Sequence, residues 1–212
     1  MEKKYKLTEE TINVDGRTLY RIEALRDFGN VKKGDKGGFI ENENNLTQYG
    51  KCWVYDNAEV SGYAIVHDNA TVSGNAKVSG NAIIHENAKI YGNAKVSDNA
   101  VVFGDSEVCG KAEVCDNAEI CGNAIIANDS DYIVFKNWWS SGRYFTWTKS
   151  NNMWKVGCFY GTGKELIEKA YMDSELSGTE YERIVRYIEK DYPEIIKNQQ
   201  ENKKSYDRTR NI

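Results

Sequence analysis

The sequence predicts a mainly β protein built around a hexapeptide β-solenoid. A valine or isoleucine stands at every sixth position from residue 54 to residue 126, thirteen times in succession. An alanine follows each of the first twelve by four positions, with Ser106 as the only exception, and the intervening residues are mostly Gly, Asp, Glu and Asn. A six-residue period fits neither one face of a helix nor a hairpin, and it is typical of coils that stack short strands.

The same repeat predicts which side chains face the interior. Each valine or isoleucine and the alanine two positions before it alternate as the inward residues of a short strand, while Gly and Asn at the corners tolerate positive φ angles. If three hexads complete one coil, residues eighteen apart stack on the same face, with coils about 4.8 Å apart. Residues 54–128 then form four coils.

The segment before the repeat is predicted to be a capping region. In residues 1–53 a tight turn at Asp15 and Gly16 separates two strand-like segments, which indicates a β-hairpin. Ile40 and Leu46 keep the six-residue step before the spacing slips to eight at Val54. An irregular opening coil is expected, because the end of a solenoid must cover its core and its unpaired edge.

The segment after the repeat changes character. Residues 129–196 are predicted to form a small α+β domain of three strands and two helices, and residues 197–212 a flexible tail. Capping boxes at Thr162 with Glu165 and at Thr179 with Glu182 indicate where the helices begin. Pro193, the only proline, is expected to bend or end the second helix.

Composition limits the location and the partners. The chain has no run of eighteen apolar residues and no secretory leader at its start, and its five cysteines are interpreted as reduced thiols. We therefore expect a cytoplasmic protein without a membrane partner. The formal net charge is −4, and the solenoid segment is its acidic part. That charge should repel phosphates, so nucleic acid is not expected along the rod.

One outer face of the solenoid is predicted to carry an apolar stripe. Contiguous apolar surface usually marks an interface. The stripe is interpreted as a homo-oligomer contact, in a dimer or a trimer, or as a partner-binding face. The alternative is that the C-terminal domain folds back over it. Its residues are Ile65, His67, Ile83, His85, Val101 and Phe103.

An aromatic cluster in the C-terminal segment is predicted to bind a partner. Adjacent tryptophans in a strand point to opposite sides, and Trp, Tyr and Arg dominate binding hot spots. Two alternatives stay open: the aromatics form the core of a small domain, or an exposed Trp stacks on a nucleotide base with Arg143 near a phosphate. The cluster comprises Trp138, Trp139, Arg143, Tyr144 and Trp147.

Other chemistry-bearing residues do not suggest a site. Cys109, Cys115 and Cys121 are six residues apart, so the three thiols should point from different faces and cannot share an ion. Residues 161–165 lack the Ser or Thr that follows the lysine of a phosphate-binding loop. We predict no catalytic, cofactor-binding or metal-ligating residue.

The repeat resembles the left-handed parallel β-helix of the hexapeptide-repeat superfamily, in which three hexads form one triangular coil. Residues 16–25, 28–31, 37–41 and 130–162, together with the Asn-Ala hexads, further resemble phage and prophage proteins described as hexapeptide-repeat or polymer-forming. The resemblance implies a viral origin, and the host cytoplasm as location. It brings no established activity, so no catalytic residue is carried over.

Many members of that superfamily are acyltransferases that work with acetyl-coenzyme A or an acyl carrier. The resemblance to them implies a catalytic histidine near a loop that leaves the coil. This chain has only His67 and His85, and no loop interrupts residues 54–128. The γ-type carbonic anhydrases share the fold but hold zinc with three histidines, one more than this chain possesses.

These observations favour a non-enzymatic, phage-derived binding protein that engages and inhibits a host protein, as an anti-defence factor. The acidic rod could act by mimicking nucleic acid electrostatically. The alternatives are a hexapeptide-repeat acyltransferase, a protein that sequesters a small nucleotide through the aromatic cluster, and a self-assembling structural rod.

Overall fold

The computed structural model describes residues 3–137 and 142–191. The fold is mainly β, with a solenoid of parallel stacked strands and a small C-terminal helical region, so the predicted fold class is confirmed. The chain divides into two compact units, residues 1–151 with 155–158 and residues 152–154 with 159–212. The strands between residues 132 and 148 therefore belong to the unit that contains the solenoid, whereas the predicted α+β domain begins at residue 129.

The N-terminal hairpin extends one sheet of the solenoid. β1 (Tyr5–Val14) pairs antiparallel with β2 (Arg17–Ala24), which pairs antiparallel with β3 (Lys36–Ile40). Ile40 lies beside Val60 of the next coil in parallel register, and Leu46 forms a bridge with Val66. Both Ile40 and Leu46 are fully buried, so they occupy inward positions of an opening coil.

Each hexad of the repeat contributes one two-residue strand, an outward residue followed by an inward one. Strands eighteen residues apart pair in parallel, as Ile65 does with Ile83, so the coil closes after three hexads as predicted. The strands are β4 (Trp53–Val54), β5 (Glu59–Val60), β6 (Ile65–Val66), β7 (Thr71–Val72), β8 (Lys77–Val78), β9 (Ile83–Ile84), β10 (Lys89–Ile90), β11 (Lys95–Val96), β12 (Val101–Val102), β13 (Glu107–Val108), β14 (Glu113–Val114), β15 (Glu119–Ile120) and β16 (Ile125–Ile126).

Three sheets form the sides of the solenoid. The first runs in the order β1-β2-β3-β5-β8-β11-β14, the second β16-β13-β10-β7-β4 and the third β15-β12-β9-β6. Hydrogen bonds between coils satisfy the backbone, as when the Ile65 amide donates to the Ala82 carbonyl at 2.9 Å. The third sheet carries the predicted apolar stripe.

The interior of the solenoid is a column of alanine and β-branched side chains. The inward residues Ala82 and Ile84 are fully buried, and their counterparts in the other coils are equally inaccessible. Removal of this apolar surface from water supplies the main stabilisation of the coil. Ser106, which replaces one alanine, is also buried, and its hydroxyl donates to the Phe103 carbonyl at 2.7 Å. The one polar interior group of the repeat is therefore satisfied.

The corners between strands require the left-handed backbone conformation. Acidic residues supply it at several corners, with Asp68 at a φ of 55° and Asp98 at 56°, and glycine supplies it at others. At Gly80, whose φ is +66°, a Cβ atom would lie 2.6 Å from the Asp98 backbone nitrogen. Any side chain at that corner would force the coils apart.

Two strands after the solenoid belong to the first unit. β17 (Tyr132–Lys136) pairs antiparallel with β18 (Tyr144–Thr148), with Ile133 opposite Trp147. β19 (Met153–Val156) and β20 (Phe159–Gly161) follow along the chain. The sequence pattern predicts three of these four strands and misses β20, which is short and ends in glycine.

The described part of the second unit contains two α-helices. α1 (Gly163–Asp173) begins at the predicted capping box of Thr162 and Glu165. α2 (Glu175–Arg186) begins earlier than predicted, because Ser174 is its N-cap and accepts a hydrogen bond from the Ser177 amide. Thr179, predicted as that cap, lies inside the helix, where its hydroxyl donates to the Glu175 carbonyl. The predicted second capping box is therefore wrong.

A π-helical turn, Tyr187–Asp191, continues α2. Pro193 and the tail of residues 197–212 lie outside the described residues. In the part of the chain that is described, no helix has the length and apolar character needed to cross a membrane.

Replacing Ile126 by Ala should lower the free energy of unfolding by about 2–5 kcal/mol, because the truncation leaves a cavity in a packed core. Ile125 precedes it in the same strand but is 48% exposed, whereas Ile126 is fully buried. Ile125→Ala should change the free energy by less than about 0.5 kcal/mol. Denaturant unfolding followed by circular dichroism measures both changes. Equal losses would contradict the assignment of inward and outward positions.

Candidate functional site

The third sheet of the solenoid brings together the six residues of the predicted apolar stripe, which we call the histidine face. In the parallel register Ile65 lies beside Ile83, and Ile83 beside Val101. The rings that follow each strand form a stack, with centroids 5.0 Å apart from His67 to His85 and again from His85 to Phe103. Its members are Ile65, His67, Ile83, His85, Val101 and Phe103.

Asp68 fixes the orientation of His67. Its Oδ2 lies 3.1 Å from His67 Nδ1. Because that contact uses the Nδ1 proton, the lone pair of the neutral ring is left on Nε2. Asp68 stands at the corner that follows β6, in the left-handed conformation, which turns its short side chain towards the ring. A carboxylate that holds an imidazole in this way is the arrangement found in general-base catalysis.

His85 does not have the same partner, although it stands one coil further on at an equivalent position. Glu86 follows it, and the Glu86 carboxylate accepts a hydrogen bond from the Gly104 amide at 2.9 Å. Burial and the neighbouring His67 together lower the pKa of His85. His85 is therefore neutral near pH 7 and packs as an uncharged ring beneath His67.

The charge of Asp68 is maintained by its hydrogen bonds. Burial alone would raise the pKa of this carboxyl, but the Glu86 amide and the His67 side chain outweigh it and lower the pKa. The Glu86 amide donates to Asp68 at 3.4 Å. An ionised Asp68 can stabilise the imidazolium that His67 becomes after it takes up a proton.

The ligand atoms of His67, Asp68 and His85 all lie within 4.8 Å of one another, so these residues are also candidates for holding a metal ion. Imidazole and carboxylate are suitable zinc ligands. The two rings, however, are parallel to within 6°. Their lone pairs lie in the ring planes, and two parallel planes do not converge on one ion. The observed geometry therefore fits proton transfer better than metal coordination.

The far end of the histidine face is covered within the first unit. Lys155 Nζ lies 2.9 Å from the Glu119 carboxylate and 6.0 Å from the centroid of the Phe103 ring. The Thr146 hydroxyl of β18 accepts a hydrogen bond from the Glu119 amide at 2.9 Å. Cys121 is buried there, which raises the pKa of its thiol to about 12 and keeps it protonated.

The near end of the face is accessible and adjoins a cleft. Ile65 is 36% exposed, and it also lines a cleft of about 430 Å³ beside β6. Arg17 and Glu41, which form an ion pair of 3.0 Å, contribute to the wall, as does Asn45. Polar groups therefore stand next to the strand that directly precedes His67.

The predicted partner-binding cluster is only partly described. Trp138 and Trp139 lie outside the described residues. Arg143 and Tyr144 are exposed, and their role in partner binding stays a prediction. Trp147 is only 3% exposed, so its ring packs inside the protein and offers little surface to a partner.

The three regularly spaced cysteines lie on different sides of the solenoid. Cys109, Cys115 and Cys121 follow β13, β14 and β15, which belong to three different sheets. The predicted divergence of their side chains therefore agrees with the coil geometry.

Asp68 is the site residue that the sequence interpretation misses. One feature of the sequence could have identified it: His67 is followed by Asp68, whereas His85 is followed by the longer Glu86.

Removing His67 should raise the pKa of His85, because the repulsion between the two imidazoles disappears in a His67→Asn variant. Asp68→Asn should lower the pKa of His85, since Asp68 now favours its protonation. The imidazole proton shifts in an NMR titration measure both. A fall of the pKa in His67→Asn, or no change in either variant, would contradict the described stack.

The same pKa shift has a consequence for stability. Because folded His85 takes up its proton at a lower pH than the unfolded chain, whose ordinary value is 6.5, this residue destabilises the fold as the pH falls below 6.5.

The interpretation of the histidine face as an oligomer contact stays a prediction, with its own measurement. If copies associate through the exposed end of the face, Ile65→Asp should reduce the solution mass from that of a dimer or trimer to that of a monomer. Ile125→Asp is a matched control, since Ile125 is an exposed strand isoleucine on a different sheet. Light scattering coupled to gel filtration gives the masses. A wild-type monomer would refute the interpretation.

Comparison with protein families finds no family model that matches the chain. Among curated proteins, the chain is similar to the "Uncharacterized acetyltransferase YdcK" of Escherichia coli strain K12, with 38% identity over 81 residues. The match covers 34% of this chain and 25% of the relative, so it spans about a quarter of that protein's length. The expectation of a non-enzymatic, phage-derived inhibitor of a host protein is contradicted by this match, which favours the acyltransferase alternative instead.

Proposed function

We propose that this protein is an acyltransferase of the hexapeptide-repeat type, which moves an acetyl group from a thioester donor to an amine or hydroxyl acceptor. The observation that carries the proposal is the pair of Asp68 and His67, a carboxylate-oriented imidazole at the accessible end of the histidine face. The similarity to a protein named as an acetyltransferase supports the reaction class.

His67 acts as the general base in this proposal. Its Nε2 accepts the proton of the acceptor N–H or O–H while the acceptor atom attacks the thioester carbonyl. The new C–N or C–O bond forms, the C–S bond breaks, and the proton passes from the imidazolium to the departing thiolate. Asp68 stabilises the imidazolium between these two proton transfers, and it keeps the ring in the tautomer that has a free Nε2.

The neighbours of His67 favour this role. The neutral His85 ring supports one side of the imidazole without adding a second charge. Ile65 and Ile83 give the face an apolar surface beside the imidazole. The adjacent cleft supplies Arg17 and Glu41 as hydrogen-bonding groups for a small polar acceptor.

The cleft also provides a recess next to the solenoid, which the acyltransferase resemblance assigns to an inserted loop. Among the described residues no loop leaves the coil between residues 54 and 128, whereas the acyltransferase resemblance implies such a loop near the base. Here the boundary between the N-terminal cap and the first regular coil forms the recess beside Ile65. The acceptor is therefore expected to be bound by the cap and not by an inserted loop.

Incubation with acetyl-coenzyme A and a panel of small amines, amino sugars and hydroxyl compounds should release free thiol, detected with a thiol-reactive dye. His67→Asn should reduce kcat by at least about 100-fold, the usual contribution of a general base. Asp68→Asn should reduce kcat by at least about tenfold, because the ring loses its tautomer and orientation.

Asp98→Asn is the matched control for Asp68→Asn. Asp98 occupies the same kind of corner, with a φ of 56° against 55° for Asp68, but it follows Ser97 instead of a histidine. This variant should keep wild-type kcat. Thiol release at the buffer rate with every acceptor, or equal rates for the wild type and His67→Asn, would refute the proposal.

A further inference from the structure

A lysine is fully buried in the N-terminal cap, away from the histidine face. Lys4 has no solvent-accessible surface. Its ammonium nitrogen lies 3.0 Å from the Cys52 carbonyl oxygen, 3.2 Å from the Tyr49 carbonyl oxygen and 5.2 Å from the centroid of the Phe28 ring. Buried lysines normally face a carboxylate, because an unpaired charge is costly in a protein interior. Within residues 3–137 and 142–191, no carboxylate accepts a hydrogen bond from this amine.

The third hydrogen-bonding partner of the amine is a thiol. Lys4 Nζ lies 3.2 Å from Cys52 Sγ, and Cys52 is itself fully buried. On the other side of the sulfur, the Thr47 hydroxyl is at 3.3 Å. The sulfur is therefore held in direct contact with the amine on one side and with a hydroxyl on the other.

The amine can also act as a nucleophile. Burial is the main cause that lowers the pKa of Lys4, opposed by Cys52 and assisted by Arg26. A lower pKa increases the fraction of neutral amine, which has a free lone pair. The cap therefore holds an amine and a thiol in contact, shielded from water and from larger reactants.

We propose that Lys4 and Cys52 form a modification site, at which dioxygen joins Nζ to Sγ through one oxygen atom. The thiol, the amine and one dioxygen molecule give an S–O–N link and one water molecule. Sulfur and nitrogen each lose two electrons, and dioxygen takes up all four. One oxygen atom enters the bridge, and the other leaves as water with the thiol proton and one amine proton.

The observed distance suits a bridge that contains one added atom. At 3.2 Å the nitrogen and sulfur are in van der Waals contact, so an inserted oxygen needs only a small approach of the two side chains. Dioxygen is small enough to enter this closed site, whereas a bulky disulfide reagent is expected to be excluded. Cys158, by contrast, is exposed and can be reached by reagents of any size.

The bridge would secure the cap to the solenoid. Lys4 immediately precedes β1, and Cys52 immediately precedes β4, so that the two residues are 48 positions apart. A covalent link across that separation restricts the unfolded chain as a disulfide does. The oxidised protein should therefore resist unfolding of its N-terminal end more than the reduced protein.

Mass spectrometry of the full-length protein tests the proposal. After exposure to oxygen-saturated buffer, a proteolytic digest should contain a peptide pair joined at Lys4 and Cys52. Its mass should exceed the sum of the two free peptides by one oxygen atom less two hydrogen atoms. Dithiothreitol should restore both free peptides, and the melting temperature of the oxidised sample should lie several degrees above that of the reduced one.

Three variants provide the controls. Cys52→Ser and Lys4→Arg should abolish the linked pair, and Cys158→Ser should retain it at the wild-type level. The wild-type comparison with and without dithiothreitol needs no variant, so poor folding of Cys52→Ser or Lys4→Arg does not remove the test. Oxygen-treated protein that contains only free peptides, a sulfenic acid without a link to Lys4, or a pair lacking the added oxygen would overturn the proposal.

Discussion

Closure of the coil after eighteen residues is the constraint on which the rest of the structure depends. In the regular repeat the narrow interior is filled by alanine, serine and β-branched side chains, such as the fully buried Ala82, Ile84 and Ser106. Once these side chains are stacked, every outward residue must lie directly beside its counterpart in the next coil. The contact between His67 and His85 is therefore a consequence of packing inside the solenoid, on the other side of the backbone.

The regular part of the fold could be predicted from the sequence because each hexad repeats the same pattern of inward and outward residues. The face that carries Ile65 and Ile83 follows from counting residues, since any slip would place apolar side chains in water. The irregular parts could not be predicted in this way. Helix α2 offers two capping residues, Ser174 and Thr179, and the choice of Ser174 depends on how tightly α2 follows α1. Strand β20 is too short to produce a pattern.

The candidate site was harder to predict than the fold, because its two histidines look like products of repetition. What distinguishes them is the next residue. The side chain of Asp68 is short enough to turn back to its histidine, whereas the longer Glu86 reaches the amide of Gly104. A difference of one methylene group thus gives one imidazole an oriented hydrogen bond and leaves its neighbour as a neutral packing partner. Spacing alone cannot reveal this difference, since Asp68 and Glu86 both adopt the left-handed backbone conformation that the corner requires.

In a strictly periodic solenoid all coils are equivalent. A functional site is therefore expected where the period is broken. Both unusual groups of this protein lie near its N-terminal end, where the cap meets the first regular coil. His67 and Asp68 directly follow the first strand of the third sheet, and Lys4 contacts Cys52 just before the first strand of the second. Coils further along have neighbours on both sides that resemble them, and their outward groups are occupied in ladders such as Asn81 to Asn99. The end of the stack lacks one such neighbour, and the cap that replaces it brings Lys4 against Cys52 and forms the cleft beside Ile65.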